Sequence, residues 1–331
     1  MKPLNFDAER VGILGAGPFG VALGSMLAGG GRPVTIWSTT ASVVDSINRE
    51  RTCDRLPGHT IPAGLEAVSD LEELVSKARF LVLAVSSESA CDRLQTLGRV
   101  ADTSHIAVHA IGALAPEGDR RISQLIAEET PILRSGVVAG PSMAADIAAG
   151  RSTSLVCASE FDEVTRESRR LLSIPSKMRL YRSQDVVGAE LASALSGAYT
   201  IAVGLADGLE VGIGIRAVLV TRAISEMTLL GTALGGTAKT FSGLAGLGNL
   251  LVRSSVEHGR ISPSYRLGLD LVKGRAECEG EGMRAAIAGL RLARSQNLSL
   301  PILETVVSIG AGEVSAREAA LSIFETVTEE E

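Results

Sequence analysis

Gly15-Ala16-Gly17-Pro18-Phe19-Gly20 is the stretch on which the fold of this chain is read. It follows a compact apolar run, Val11-Gly12-Ile13-Leu14, and opens onto Val21-Ala22-Leu23-Gly24-Ser25-Met26-Leu27-Ala28, whose composition predicts a helix. Strand, glycine turn and helix in that order form the βαβ entry that receives the diphosphate of a dinucleotide. Gly15 allows the tight turn, Gly17 lets a pyrophosphate approach the backbone, and Gly20 lets helix and strand pack closely; Pro18 and Phe19 complete the loop. The helix N-terminus adds unpaired N–H groups and a partial positive charge. A lone GxGxxG is a weak signal, but a second apolar run, Pro33-Val34-Thr35-Ile36-Trp37, follows at βαβ distance and favours a ligand over a merely glycine-rich turn.

Apolar runs and helical stretches keep alternating to about residue 182. A helix is expected over 41–50, then a loop carrying Leu56-Pro57-Gly58 and Ile61-Pro62, then a short helix through Ser76 capped by Asp70. Phe80-Leu81-Val82-Leu83-Ala84-Val85 reads as a buried strand from its length and unbroken apolarity. Strands are also expected at 106–108, 132–138, 153–158 and 178–181, with helices to about Leu97, over 143–149 and over 161–172. This pattern predicts an α/β, doubly wound, mainly parallel sheet covered on both faces, with ligands beyond the carboxyl ends of its strands. From Asp185 onward the chain is expected to be all-helical: long segments at 187–205 and 215–234, then about 249–257, 264–272, 280–295, 301–309 and 316–324. The expected domains are therefore 1–184, binding the dinucleotide, and 185–331, binding the substrate.

Bulk properties remove other classes. A length of 331 residues with 45% hydrophobic and 21% charged residues describes a globular protein with ample core. The net charge of −6 argues against a nucleic-acid partner, and 3% aromatics against a base-stacking platform. No strongly apolar run of membrane-spanning length is evident, so no membrane partner is expected. Cys53, Cys91, Cys157 and Cys278 are scattered without a CxxC pair; they read as reduced thiols of a cytoplasmic protein, and no metal is expected. A homodimer stays open.

The residue that ends the second strand selects the nucleotide. An acidic side chain there would hold the ribose 2′-OH of NAD; this chain has Ser38-Thr39-Thr40. Both NAD and NADP fit hydroxyls, with a slight lean to NADP because no carboxylate would repel a 2′-phosphate. Ser38 and Thr39 would equally serve to cap the next helix.

Several motifs then fall in one order: the glycine turn, Leu56-Pro57-Gly58, Gly140-Pro141-Ser142-Met143-Ala144, Glu190-Leu191-Ala192-Ser193-Ala194-Leu195, Ala206-Asp207-Gly208, Thr221-Arg222-Ala223-Ile224-Ser225-Glu226-Met227 and Phe241-Ser242-Gly243-Leu244-Ala245-Gly246-Leu247-Gly248. Together they resemble the bacterial-type NAD(P)-dependent glycerol-3-phosphate dehydrogenase family over nearly the whole chain. The resemblance implies a Rossmann domain followed by an all-α C-terminal domain. It also implies hydride transfer between NAD(P)H and dihydroxyacetone phosphate, giving sn-glycerol 3-phosphate, with Ala144, Arg260 and Glu281 on the cofactor side.

The departures from that family bear on the chemistry. Where the family has Lys-Asn after Ala-Leu, the Lys being the proton donor, this chain has Ser196-Gly197. A second family Lys falls at Gly112, in His109-Ala110-Ile111-Gly112. The Asp of Gly-Leu-Gly-Asp becomes Asn249, the Thr four residues on becomes Arg253, and of Ser-Arg-Asn only Arg260 remains. A positioned acid typically contributes ~10²–10⁴-fold to such a reduction, and Ser196 offers a hydroxyl with no charge. The catalytic candidates are therefore Ser196, Asn249 and His109, and the substrate-binding candidates Arg253 and Arg260. Three functions follow: an oxidoreductase moved to another carbonyl or imine substrate, the family reaction with replaced acid groups, or a non-catalytic nicotinamide-binding sensor.

Overall fold

The computed structural model describes residues 6–256, 262–274 and 279–319. Contacts divide the chain into two compact units, one of Met1–Ile111 with Arg120–Val186 and one of Gly112–Asp119 with Val187–Glu331.

The first unit is built on eight strands, β1 (Val11–Leu14), β2 (Val34–Trp37), β3 (Leu65–Val68), β4 (Phe80–Leu83), β5 (Ile106–His109), β6 (Arg134–Ala139), β7 (Thr153–Ala158) and β8 (Met178–Ser183). They form one sheet in the order β3-β2-β1-β4-β5-β6-β7-β8. Every neighbouring pair is parallel except β6 with β7, which are antiparallel. Helices α1 (Pro18–Gly29), α2 (Ala41–Asp45), α3 (Leu71–Lys77), α4 (Ser87–Val100), α5 (Ile122–Glu129), α6 (Ala144–Ala148) and α7 (Asp162–Leu172) connect the strands. The expected doubly wound sheet is therefore observed. β1, β2, β4 and β5 are buried along their whole length, which is why they read as unbroken apolar runs. Val11 and Ile13 join the core packed by α1, whereas the bare Gly12 faces Leu74 of α3 and Leu81 of β4.

Two elements of the first unit lie where no strand or helix was expected. β3 is an edge strand with Glu66 exposed in its middle, which breaks its apolar run. α5 opens where the Gln124 side chain accepts the Arg121 N–H at 2.9 Å, a helix start given no strong cap in the sequence. Asp70 does cap α3, accepting the Glu72 N–H at 3.0 Å. The 41–50 segment is helical throughout, but its second half, Ser46–Glu50, is π-wound and ends at Arg51 in the left-handed region.

Among the described residues the second unit holds helices α8 (Val186–Gly208), α9 (Ile213–Ala233), α10 (Ala238–Phe241), α11 (Asn249–Arg253), α12 (Pro263–Val272), α13 (Glu281–Ser295) and α14 (Pro301–Gly310), with a π-wound turn at Leu244–Gly248. Ala206-Asp207-Gly208 is the last turn of α8, not a loop after it. The helix expected over 249–257 stops at Arg253. The helix expected over 316–324 is described only to Ala319. α8 is long and apolar enough to cross a membrane, but its most apolar window is 94% buried inside the fold, as a core helix requires. The Asp119 carboxylate ties the 112–119 segment to Arg291 of α13, accepting from Nε at 2.8 Å.

Candidate active site

The glycine turn lies at the carboxyl end of β1, beside the point where the strand order reverses between β1 and β4. Gly15 has φ +118°, and a Cβ there would meet the Ala84 carbonyl oxygen at 2.5 Å. A Cβ on Gly20 would run into the Gly15 carbonyl. Gly17 differs: a Cβ there would come no nearer than 3.9 Å to the Ala84 oxygen. Its openness leaves room for a ligand against the backbone. Gly17 caps α1 without a side-chain bond, Pro18 takes the first helical position, and no acidic residue sits in the first turn. Phe19 packs onto the core. The uncapped amides and the vacant side-chain position at Gly17 fit a nucleotide diphosphate.

Local sequence reading missed two arginines, one at this turn and one over the Trp37 ring at the end of β2. Arg55, from the loop before Leu56-Pro57-Gly58, donates from Nη1 to the Ala16 carbonyl at 3.2 Å. Arg93 of α4 lies over the Trp37 ring, 5.5 Å from its centroid. No spacing rule links Arg55 to Ala16 or Arg93 to Trp37; only folding brings these pairs together. Ser38 is buried and its Oγ accepts the Thr40 N–H at 3.2 Å, closing the turn into α2, whereas Thr39 is exposed. Trp37 is held by an Nε1–H bond to the Ser69 carbonyl at 3.0 Å.

In the second unit, Ser196 lies on α8, fully buried, and gives its hydroxyl proton to the Ser193 carbonyl at 2.7 Å. Asn249, at the start of α11, spans two partners. Its Nδ2 donates to Ser193 Oγ at 3.3 Å, and its Oδ1 accepts from Arg253 Nε at 3.3 Å. One helical turn separates Asn249 from Arg253, which places both on one face. The Arg253 guanidinium fills space that two glycines leave open. A Cβ on Gly112 would lie 2.7 Å from its Nη2, and one on Gly197 would lie 3.2 Å from its Nη1. Burial lowers the Arg253 pKa, and the Glu281 carboxylate raises it in part. Ser193, unremarkable in sequence, joins this cluster because its hydroxyl meets both Asn249 and the Gly112 position, the latter at 3.2 Å.

The other candidates are placed as follows. His109 ends β5 and is fully buried. Ala144 opens α6 and packs against the core of the first unit. Glu281 opens α13 and is exposed. Arg260 and Cys278 lie outside the described residues. Cys53, Cys91 and Cys157 are free thiols, and no metal-binding cluster occurs among the described residues. Two residues of the shared motifs tie helices together. Asp207 accepts from Tyr265 Oη at 2.7 Å and Arg216 Nε at 3.1 Å. Glu226 accepts from the Ile302 N–H at 2.8 Å and Tyr199 Oη at 3.1 Å.

Comparison with known proteins agrees with this layout. Residues 10–165 match the family described as NAD-dependent glycerol-3-phosphate dehydrogenase N-terminus, and residues 185–321 its C-terminus. A glycerol-3-phosphate dehydrogenase (NAD(P)+) of Polaromonas naphthalenivorans is 34% identical, over 96% of this chain and 97% of its own. One from Bacillus cereus strain B4264 is 32% identical, over 97% of each. The crystal structure of glycerol-3-phosphate dehydrogenase from Coxiella burnetii is 28% identical with a TM-score of 0.88, covering 96% of this chain and 98% of that one.

Proposed function

The chain belongs to the NAD-dependent glycerol-3-phosphate dehydrogenase family, and from that premise we propose that its substrate is a carbonyl or imine compound other than dihydroxyacetone phosphate. At the coarser level it is a glycerol-3-phosphate dehydrogenase-like oxidoreductase using NAD or NADP. The observation that carries the proposal is at Ser196, which the sequence resemblance puts at the family lysine position: its one proton is already given to the Ser193 carbonyl. Neither a proton nor a positive charge is offered there to a developing alkoxide.

In the first unit, the Gly17 backbone and the α1 amides would hold the diphosphate, with Arg55 adding charge at the turn. Thr39 would meet the adenosine ribose. Arg93 over Trp37 supports the lean toward NADP, since a guanidinium suits a 2′-phosphate. The nicotinamide supplies or accepts the hydride. In the second unit, the Arg253 guanidinium would face the substrate, and Asn249 would orient it. We assign the first unit to the nucleotide and the second to the substrate. Glu281 and Ala144 remain cofactor-side proposals; His109, fully buried, is a weaker candidate for meeting the substrate than the partly buried Arg253. The three free thiols support a cytoplasmic location. The exposed α9 side chains Val218 and Leu229 support a homodimer.

Calorimetry with NADPH and NADH, followed by turnover assays, tests the proposal. The expected result is cofactor binding, little turnover of dihydroxyacetone phosphate, and turnover of another carbonyl or imine compound. Efficient reduction of dihydroxyacetone phosphate overturns the change of substrate. Binding without turnover across the panel supports a nicotinamide-responsive sensor, a reading favoured by the committed Ser196 proton.

A further inference from the structure

We propose that Arg253 is the substrate-selecting cation of the second unit, and that it takes a carbonyl compound bearing a carboxylate beside the reacting carbon instead of a phosphate ester. This deepens the reading that the substrate has changed, and rests on it.

The guanidinium occupies volume that belongs to side chains of two other segments. The 2.7 Å approach of Nη2 to a Cβ on Gly112 excludes any larger residue there while Arg253 keeps its place. The 3.2 Å approach of Nη1 to a Cβ on Gly197 is tighter than an ordinary contact. Gly112, Gly197 and Arg253 are thus one packing unit: shortening two side chains makes the seat for a third. A side chain at 112 would require the Arg253 guanidinium to shift from its present place.

Asn249 completes the arrangement. Its Oδ1 accepts from Nε at 3.3 Å, which fixes the guanidinium plane through the one nitrogen that is not at the fork. A carboxylate at 249 would bind the same nitrogen and cancel the charge, as i,i+4 acid–base pairs do. The amide orients without neutralising. Among the described residues Arg253 forms no salt bridge, and the residue as a whole is only partly buried.

Charge and shape then select the ligand. The described cluster holds one guanidinium, partly offset by the nearby Glu281 carboxylate. That balance suits one monoanion and leaves a phosphate dianion poorly compensated. The two terminal nitrogens form a planar fork that matches a carboxylate through two parallel N–H···O bonds. A carbonyl adjacent to that carboxylate would lie next to the same positive charge, where the oxygen becomes anionic on reduction.

Isothermal titration of the full-length protein with NADPH, then with oxamate and with sn-glycerol 3-phosphate in its presence, tests this. Oxamate carries a carboxylate beside a carbonyl and is not reduced. Wild type is expected to prefer oxamate by about tenfold or more; Arg253→Lys, which keeps charge but loses the fork, is expected to weaken oxamate by about tenfold. Asn249→Asp, which keeps the fork but pairs the charge, is expected to do the same. Thermal melts establish that each variant folds. Tighter binding of sn-glycerol 3-phosphate, absence of oxamate binding while NADPH binds, or oxamate affinity unchanged in both variants overturns the proposal. Failure of both NADPH and NADH to bind instead overturns the oxidoreductase reading beneath it.

Discussion

Gly15 and Gly17 are two positions apart and are constrained for different reasons. Gly15 is held at φ +118° with the Ala84 carbonyl where its Cβ would be, so Gly15→Ala strains the fold itself. Gly17 has φ −74° and ψ 176°, which any residue adopts, and open space beside it. We expect Gly15→Ala to lose on the order of 1–3 kcal/mol or more of stability. Gly17→Ala should leave stability within about 0.5 kcal/mol yet weaken NADPH by about tenfold or more, because the added methyl stands where the diphosphate would lie. Urea unfolding and calorimetry on the two variants separate these outcomes; an unchanged NADPH affinity in Gly17→Ala would sink the assignment of the turn. Both glycines were legible in the sequence because a turn motif is local. The linkage of Gly112, Gly197 and Arg253 was not, since sequence gives the identity of each but not that the three share one volume.

At the scale of elements, Glu226 of α9 caps the start of α14 through the Ile302 N–H and holds Tyr199 of α8. Burial pushes its pKa up to about 7, against the opposing effect of these hydrogen bonds. The folded state therefore binds the Glu226 proton more tightly than the unfolded chain, whose value is the ordinary 4.5. Its contribution to stability is fully present below that value and is lost as pH rises toward 7, with a slope of at most about 1.4 kcal/mol per pH unit. In Glu226→Gln the amide oxygen still accepts the Ile302 N–H, but nothing titrates. We expect this variant to gain stability relative to wild type as pH is raised from about 5 to 7, measured by denaturant unfolding across that range. A constant difference between the two proteins would contradict the raised value. The helices themselves were legible from apolar spacing. That the Glu226 of a motif resembling a dehydrogenase family holds two helices together was not, because its partners come from remote segments.

For the whole molecule, α9 bears on assembly. Val218 and Leu229 are 48% and 46% exposed, and their spacing of eleven positions, about three turns, brings both onto one helical face, with Thr221 and Ser225 exposed along the same line. An apolar line bordered by small hydroxyl side chains suits helix packing. We expect a homodimer by light scattering at micromolar concentration, and a shift to monomer in Val218→Glu/Leu229→Glu. A wild-type monomer throughout that range removes the dimer from consideration.

By itself the sequence determined the doubly wound sheet, its dinucleotide turn, the helical second half and the family, because hydrophobic period, glycine spacing and motif order are carried by neighbouring residues. Only the tertiary structure decided which side chain holds the charge. Ser196, a candidate by its position, gives its proton to the Ser193 carbonyl, and Arg253 reaches the space left beside the bare Gly112 and Gly197. The physical reason is close packing: a guanidinium can enter only where other segments leave volume, and that volume exists only once the chain is folded.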